Sequence, residues 1–205
     1  MADGKGSRWH NYKSLDKHSI CFDGETMLER TVRLIRERDG DGEIFITSHN
    51  PNVRIDGAVR YEPLHNVLEI DRFTWELICD DCCFLYGDVF YTEAAMAAII
   101  GTVPEKPLLF FGSADSIFAI RVRSGAAFSD CVEAVRAAFL AGKIAECKGW
   151  QVYHCYCGLP LEGRAIGGDF LLCEDMTRDF NSPEDYEAFV RRRAQTRKEN
   201  NRVNQ

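Results

Sequence analysis

Short, nearly continuous apolar runs alternate along this chain with longer stretches of helical repeat, a pattern that predicts an α/β protein. In residues 25–35 the apolar Met27, Leu28, Val32 and Ile35 share one helical face while arginines point away. Glu43–Thr47 follows the turn Asp39–Gly42 and is short, β-rich and apolar, as expected of a strand buried on both faces of a parallel sheet. Cys82–Tyr86 reads the same way, ends at Gly87–Asp88, and precedes a helix over Thr92–Ile100 with Thr92 as its cap. Asp88 is thereby expected at the carboxyl end of a strand. Leu108–Phe111 and Ile117–Val122 are predicted strands, and Ser129 is expected to cap a helix running to about Leu140 and stopping at Gly142. Trp150–Tyr156 is predicted as a further strand. Ser182–Pro183–Glu184–Asp185 supplies a cap, a proline at the first helical position and acids in the first turn of a last helix. Beyond Arg193 only Val203 is apolar, so that helix is expected to fray into a solvated tail.

Composition narrows the class. With 205 residues, 45% hydrophobic and 28% charged, the chain suits one ordinary globular domain, and neither a disordered nor a coiled-coil chain. The expected division is a domain over 1–190 and a basic helix end and tail over 191–205. No apolar run approaches a membrane span. The opening Met1–Gly6 lacks the apolar stretch of a secretory signal, so the nine cysteines are expected reduced in a cytoplasm. The net charge of -7 is uneven, because Arg191–Gln205 holds six Lys/Arg against one Glu. The acidic remainder disfavours nucleic acid as a partner.

Three constellations carry candidate chemistry. Gly4-Lys5-Gly6-Ser7-Arg8, with Lys17 downstream, can bring backbone N–H groups and two cations to a polyphosphate. It is neither a Walker loop nor a dinucleotide fingerprint, since the required further residues are missing. Asp88 stands where ligands of open α/β sheets bind, and a carboxylate there is a natural Mg2+ ligand or a simple helix cap. Asp179-Phe180-Asn181-Ser182-Pro183-Glu184-Asp185 places oxygen donors ahead of a helix, and read alone is a capped N-terminus.

Taken in order, Gly4-x-Gly6-x-Arg8, Lys17, Gly24–Thr31, Tyr86-Gly87-Asp88-Val89 and Asn181–Tyr186 resemble the nucleotidyltransferases that make sugar nucleotides and CDP-choline-like products. The resemblance implies a single Rossmann-like domain of the glycosyltransferase-A type, with a mixed, mostly parallel sheet flanked by helices. It implies a reaction in which a nucleoside triphosphate and a phosphomonoester, a sugar 1-phosphate or phosphocholine-like group, give an activated diphosphate and pyrophosphate. Its alternatives are a nucleotide-binding protein without catalysis and a glycosyltransferase of the same fold. By the resemblance, Gly4, Gly6 and Ser7 wrap the triphosphate, Arg8 holds the leaving pyrophosphate, and Lys17 sits against the α-phosphate. Asp88 binds Mg2+, Asn181 falls at the second ligand position with Asp179 as its rival, and Asn66 contacts the nucleotide. A homodimer is left open.

The chain departs from that pattern at three places. The family's loop follows a buried strand, but here it begins three residues from Met1, so the sheet is expected to lack a central strand and to expose two edges. Asp16 replaces a proline, and Asp3 replaces a small residue, where its charge opposes a triphosphate unless it turns away. The remaining features have plainer readings. Cys79, Cys82, Cys83, Cys155 and Cys157 are read as core thiols rather than a zinc site, His49 and His65 as loop residues, and Trp75, Trp150 and Tyr153 as packing rather than an acceptor pocket.

Overall fold

The computed structural model describes residues 1–3, 9 and 20–203, with side chains to residue 196. Elements follow in the order β1 (Cys21–Phe22), β2 (Glu25–Thr26), α1 (Met27–Arg36), β3 (Phe45–Thr47), β4 (Val59–Tyr61), β5 (Cys82–Leu85), β6 (Val89–Phe90) and α2 (Glu93–Gly101). The second half holds β7 (Leu108–Gly112), β8 (Ile117–Val122), α3 (Gly125–Leu140), α4 (Gly149–Cys157), β9 (Phe170–Leu172), β10 (Arg178–Asp179) and α5 (Pro183–Val203).

The central sheet runs β5-β8-β7-β9 and is mixed, though with two of its three pairings antiparallel it is not the mostly parallel sheet expected. β8 pairs antiparallel with both β5 and β7, and β7 pairs parallel with β9. β3 and β4 form a separate parallel pair. Alternation along β7 sends Leu108 and Phe110 to one face and Leu109 and Phe111 to the other, so the sheet is apolar on both sides. One face packs on α3 and α4 through Phe128, Val132, Val135, Trp150 and Tyr153. The opposite face packs on α1 and α2 through Leu34, Ile35, Met96 and Ile99. The result is a three-layer α/β/α arrangement.

Among the described residues, the gap between β3 and β5 is bridged at one end. Met1 nitrogen donates to Leu85 O at 2.7 Å, Gly87 N–H to Met1 O at 2.8 Å, and Ala2 N–H to Thr47 O at 3.1 Å. The first three residues thus tie the two strand systems together, where a central strand was expected to be missing. β3 is half covered rather than buried on both faces, with Phe45 39% exposed.

A third cluster lies beside the sheet, where Trp9, Ile20, Phe22, Met27, Phe90, Phe180 and Phe189 are all buried. Its rings meet largely edge to face or tilted, with Phe22–Phe90 centroids at 5.0 Å and Phe180–Phe189 at 5.1 Å. Phe180 follows β10, Phe90 ends β6 and Phe189 lies in α5, so this cluster fixes those three elements together.

Sequence and structure part in a few elements. Trp150–Tyr156 is helix, not strand, because α4 is buried nearly all round from Gly149 to His154 and so shows no polar stripe. It ends at Gly158 with φ +66°, a left-handed cap that favours glycine. α3 begins at Gly125 with Ser124 as cap, not Ser129. α5 continues to Val203 instead of fraying after Arg193. There the Arg193 guanidinium stacks 5.1 Å from the Phe90 ring centroid and pairs with Asp23. The other expected helices and strands are present, including the Thr92 cap of α2, and α1 carries in addition a Thr26–Glu29 capping box.

Glu25 ties β2 to α1. Its carboxylate takes two bonds from Arg33, at 2.7 and 2.9 Å, and one from Arg30 at 3.0 Å. Arg30 in turn lies 4.7 Å over the Phe90 ring and donates to Tyr91 O. The Arg33 bonds hold the Glu25 carboxyl below its usual range, against the opposing effect of burial, with Arg30 adding to the depression. A depressed carboxyl contributes stability above its unfolded pKa and loses it as pH falls through the folded value. Glu25→Gln is therefore expected to cost about 1 kcal/mol at neutral pH by urea unfolding. The difference from the parent should begin to shrink as pH falls to the ordinary carboxylate value of about 4 and vanish only once pH has passed the lower folded value.

Candidate functional site

β5 delivers Asp88 to the end of the sheet. The turn Gly87–Asp88 leads straight into β6, and Gly87 is confined by the chain start, since a Cβ there would lie 2.6 Å from Met1 O. β6 then pairs antiparallel with β10, Val89 opposite Asp179 and Phe90 opposite Arg178. Phe180 N–H donates to Asp88 O at 3.1 Å, extending the ladder by one bond. This pairing sets Asp88 beside Asp179, although the two lie in distant parts of the chain.

Asp179 is held tightly. Its Oδ2 accepts the Ser116 hydroxyl at 2.9 Å and also the Asn181 side-chain amide. Burial pushes its carboxyl above the usual range, the Ser116 bond pulls it down, the negative charge of Asp88 pushes it up again, and the Asn181 bond opposes that. Behind it, Asp185 Oδ2 accepts the Asn181 and Ser182 N–H groups at 3.1 and 3.0 Å, while Ser182 Oγ accepts Asp185 N–H at 3.2 Å. That capping arrangement fixes the start of α5 and with it Asn181. So Asp179 stands beside Asp88, Asn181 is held against Asp179, and Asp185 is a helix cap.

The donor set suits a hard cation. Two carboxylates and an amide are oxygen ligands of the kind Mg2+ takes. Among the described residues no three His, Cys, Asp or Glu side chains gather into a metal-holding group. An ion between Asp88 and Asp179 would be completed by water and ligand oxygens, the usual manner for Mg2+.

A second polar cluster occupies the ends of β3 and β4. Asp3 Oδ1 accepts His49 N–H at 2.9 Å, and its Oδ2 meets His49 Nδ1 at 2.5 Å and accepts Asn66 Nδ2 at 2.7 Å. The Asp3 charge is thus turned toward the β3 and β4 loops and satisfied there. Asn66 reaches Asp3 and fastens the loop after β4 to the chain start. Neither Ser116 nor this use of Asn66 is readable in the sequence, because each depends on which loop lands against the strand ends.

Gly4, Gly6, Ser7, Arg8 and Lys17, with Asp16, lie outside the described residues. The residues flanking 4–8 are placed. Asp3 lies between the ends of β3 and β5, and Trp9 is buried in the aromatic cluster with Phe90 and Phe180. Of the aromatic candidates, Trp150 and Tyr153 are core residues. Trp75 lines a cavity of about 450 Å3 with Leu64, His65, Asp71, Glu76 and Arg136. Burial raises the Cys82 thiol to about 12 and the Cys83 thiol to about 11, which keeps them protonated, but both, like Cys155 and Cys157, are only partly buried, and Cys79 is exposed rather than a core thiol.

This mixed α/β architecture is a Rossmann-like fold. The chain is similar to a solved structure of the CTP:phosphocholine cytidylyltransferase LicC of Streptococcus pneumoniae, with a TM-score of 0.54 and 11% sequence identity over 91% of this chain and 94% of that one. No protein-family model matches the sequence, and no curated protein matches it either. No helix among the described residues is long and apolar enough to cross a membrane.

The electrostatics of the pair can be checked directly. By carboxyl NMR titration, Ser116→Ala should raise the Asp179 pKa by removing a bond to its charged form, and Asp88→Asn should lower it by removing the neighbouring charge.

Proposed function

We propose that this protein is a Mg2+-dependent nucleotidyltransferase, joining a nucleoside monophosphate from a nucleoside triphosphate to a sugar 1-phosphate or phosphocholine-like phosphomonoester and releasing pyrophosphate. The observation that carries this reading is the Asp88–Asp179 pair at the strand ends, set next to where the chain enters Gly4-x-Gly6-x-Arg8. The fold shared with a cytidylyltransferase supports it.

In this reading the roles divide by charge. Gly4, Gly6 and Ser7 cradle the triphosphate with backbone N–H groups, Arg8 neutralises the departing pyrophosphate, and Lys17 faces the α-phosphate and the incoming phosphate. Asp88 and Asp179, with Asn181 beside them, would hold Mg2+, which when bound supplies charge neutralisation for the triphosphate. No nucleophilic side chain is required, since the acceptor phosphate is itself the nucleophile and the protein's task is in-line positioning. One objection is eased by the structure. Asp3, which could have repelled a polyphosphate, is bonded to His49 and Asn66 instead.

The partners this reading calls for are a nucleoside triphosphate and a phosphomonoester, in a soluble cytoplasmic setting within nucleotide-sugar or surface-polysaccharide synthesis. The rival without catalysis predicts nucleotide binding but no pyrophosphate. A glycosyltransferase would instead consume a nucleotide sugar. The test is pyrophosphate release with Mg2+, each common nucleoside triphosphate and a panel of sugar 1-phosphates plus phosphocholine. Turnover with one pair is expected, and Asp88→Asn, Asp179→Asn and Lys17→Met should each lower kcat by about 100-fold or more with the circular dichroism spectrum unchanged. Turnover retained in all three variants would overturn the site assignment, and nucleotide binding without turnover would favour the rival.

A further inference from the structure

Cys79-Asp80-Asp81-Cys82 forms a turn that leads into β5. Asp81 stands in it at φ +56°, a left-handed conformation that aspartate tolerates better than most side chains. The turn brings its two ends together, so that Cys79 N–H donates to the Cys82 sulfur and the two thiols hydrogen-bond to each other. Residues three apart across a turn have Cα atoms within about 7 Å, close to the span of a disulfide. The turn is also held from outside. The Asp80 carboxylate accepts Gly125 N–H at 2.7 Å at the start of α3, and a Cβ on Gly125 would lie 2.9 Å from the Cys79 backbone. Cys79 is thus fixed in place while its side chain is exposed. Cys82 is half-buried and packs toward the α3 and α4 face of the sheet, whereas Cys83 turns to the α1 and α2 face and meets Arg121. Strand alternation therefore sets Cys82, not Cys83, against Cys79.

We propose that Cys79 and Cys82 form a reversible dithiol–disulfide site, closed by a hydroperoxide and reopened by a thiol reductant. The roles divide by access. Cys79, exposed at the turn, meets the oxidant first. Its thiolate attacks hydrogen peroxide, the S–O bond forms as the O–O bond breaks, and the departing hydroxide takes up the proton that Cys79 released, giving water. The Cys82 sulfur then attacks the Cys79 sulfur. The S–S bond forms as the S–O bond breaks, and the hydroxyl leaves as water with the Cys82 proton. Two thiols and one hydrogen peroxide thus become one disulfide and two waters. A dithiol reductant reverses the bond by exchange and is itself left as the disulfide.

The surroundings fit these roles. Burial chiefly raises the Cys82 thiol to about 12, so Cys82 does not compete as the attacking thiolate and serves as the second, resolving sulfur. The Cys79 charge adds to that rise and is gone once the Cys79 sulfur carries oxygen. Glu76, Asp80 and Asp81 are exposed around the turn, and this acidic surface repels an anionic disulfide while admitting an uncharged peroxide. A second thiol pair, Cys131 of α3 with Cys155 of α4, is also in hydrogen-bond contact. Both of its thiols are only partly exposed, and burial raises Cys131 to about 12, so it lacks the accessible first sulfur that Cys79 supplies.

The test treats the folded protein with hydrogen peroxide and follows its thiols by alkylation and peptide mass spectrometry. The parent is expected to lose the two thiol hydrogens in a Cys79–Cys82 bond that dithiothreitol reverses and that forms ahead of any Cys131–Cys155 bond. Cys83→Ser should leave that bond in place. In Cys82→Ser the oxidised Cys79 lacks its resolving sulfur, so dimedone should trap a sulfenic acid at Cys79, and Cys79→Ser should lose both products. A parent that accumulates sulfinic acid at Cys79, that leaves Cys79 and Cys82 open to alkylation, or that closes Cys131–Cys155 first would overturn the proposal. The readout is independent of nucleotidyl transfer, so it stands or falls apart from the proposed reaction.

Discussion

Val89 and Phe90 paired with Asp179 and Arg178 make a ladder of two residues, and the site is built on it. A ladder this short has little stability in isolation. It persists because the rings of Phe22, Phe90, Phe180 and Phe189 pack beneath it and because Arg30 and Arg193 lie over Phe90. Burying those rings is worth several kcal/mol, whereas a net backbone hydrogen bond is worth about 1 kcal/mol. The apolar cluster is therefore the larger force, and the placement of two like charges beside each other is its consequence. Burial chiefly, with the neighbouring Asp88 charge adding to it, raises the Asp179 carboxyl, so keeping both groups charged there costs free energy.

The two polar clusters divide the work at the carboxyl edge of the strands. On one side, Asp3 binds His49 and Asn66 and draws the β3 and β4 loops to the chain start. On the other, Ser116, Asn181 and Asp179 join the β7–β8 loop, the start of α5 and β10. Asp3 belongs to the first side, and Trp9 is buried with Phe90 and Phe180 in the aromatic cluster.

Much of the fold was legible because local chemistry announced it. Thr92, and Ser182 with Asp185, each cap a helix as their spacing predicts, and Asp88 stands in the turn just past β5, close to where its position predicts. The sequence misled where burial erased the pattern. α4 is apolar on nearly every side, so its period could not separate helix from strand, and Trp150 and Tyr153 landed in the core of a helix. Ser124 and Ser129 are both competent caps, and only the close approach of Gly125 to Cys79, where a Cβ would lie 2.9 Å from the backbone, distinguishes them. Ser116 was invisible because nothing in Ser113–Ser116 signals which strand end it will meet. The neutralisation of Asp3 was also out of reach, since it required the register of β3 against the first residues of the chain.

The central claim is that the β6–β10 pairing assembles Asp88 and Asp179 into a cation site that works with a bound polyphosphate. Electron paramagnetic resonance titration with Mn2+, in the presence of a nucleoside triphosphate, tests it most directly. The account predicts an ion bound by the protein–nucleotide complex whose affinity falls by about tenfold or more in both Asp88→Asn and Asp179→Asn. Mn2+ binding unchanged by either substitution would contradict it.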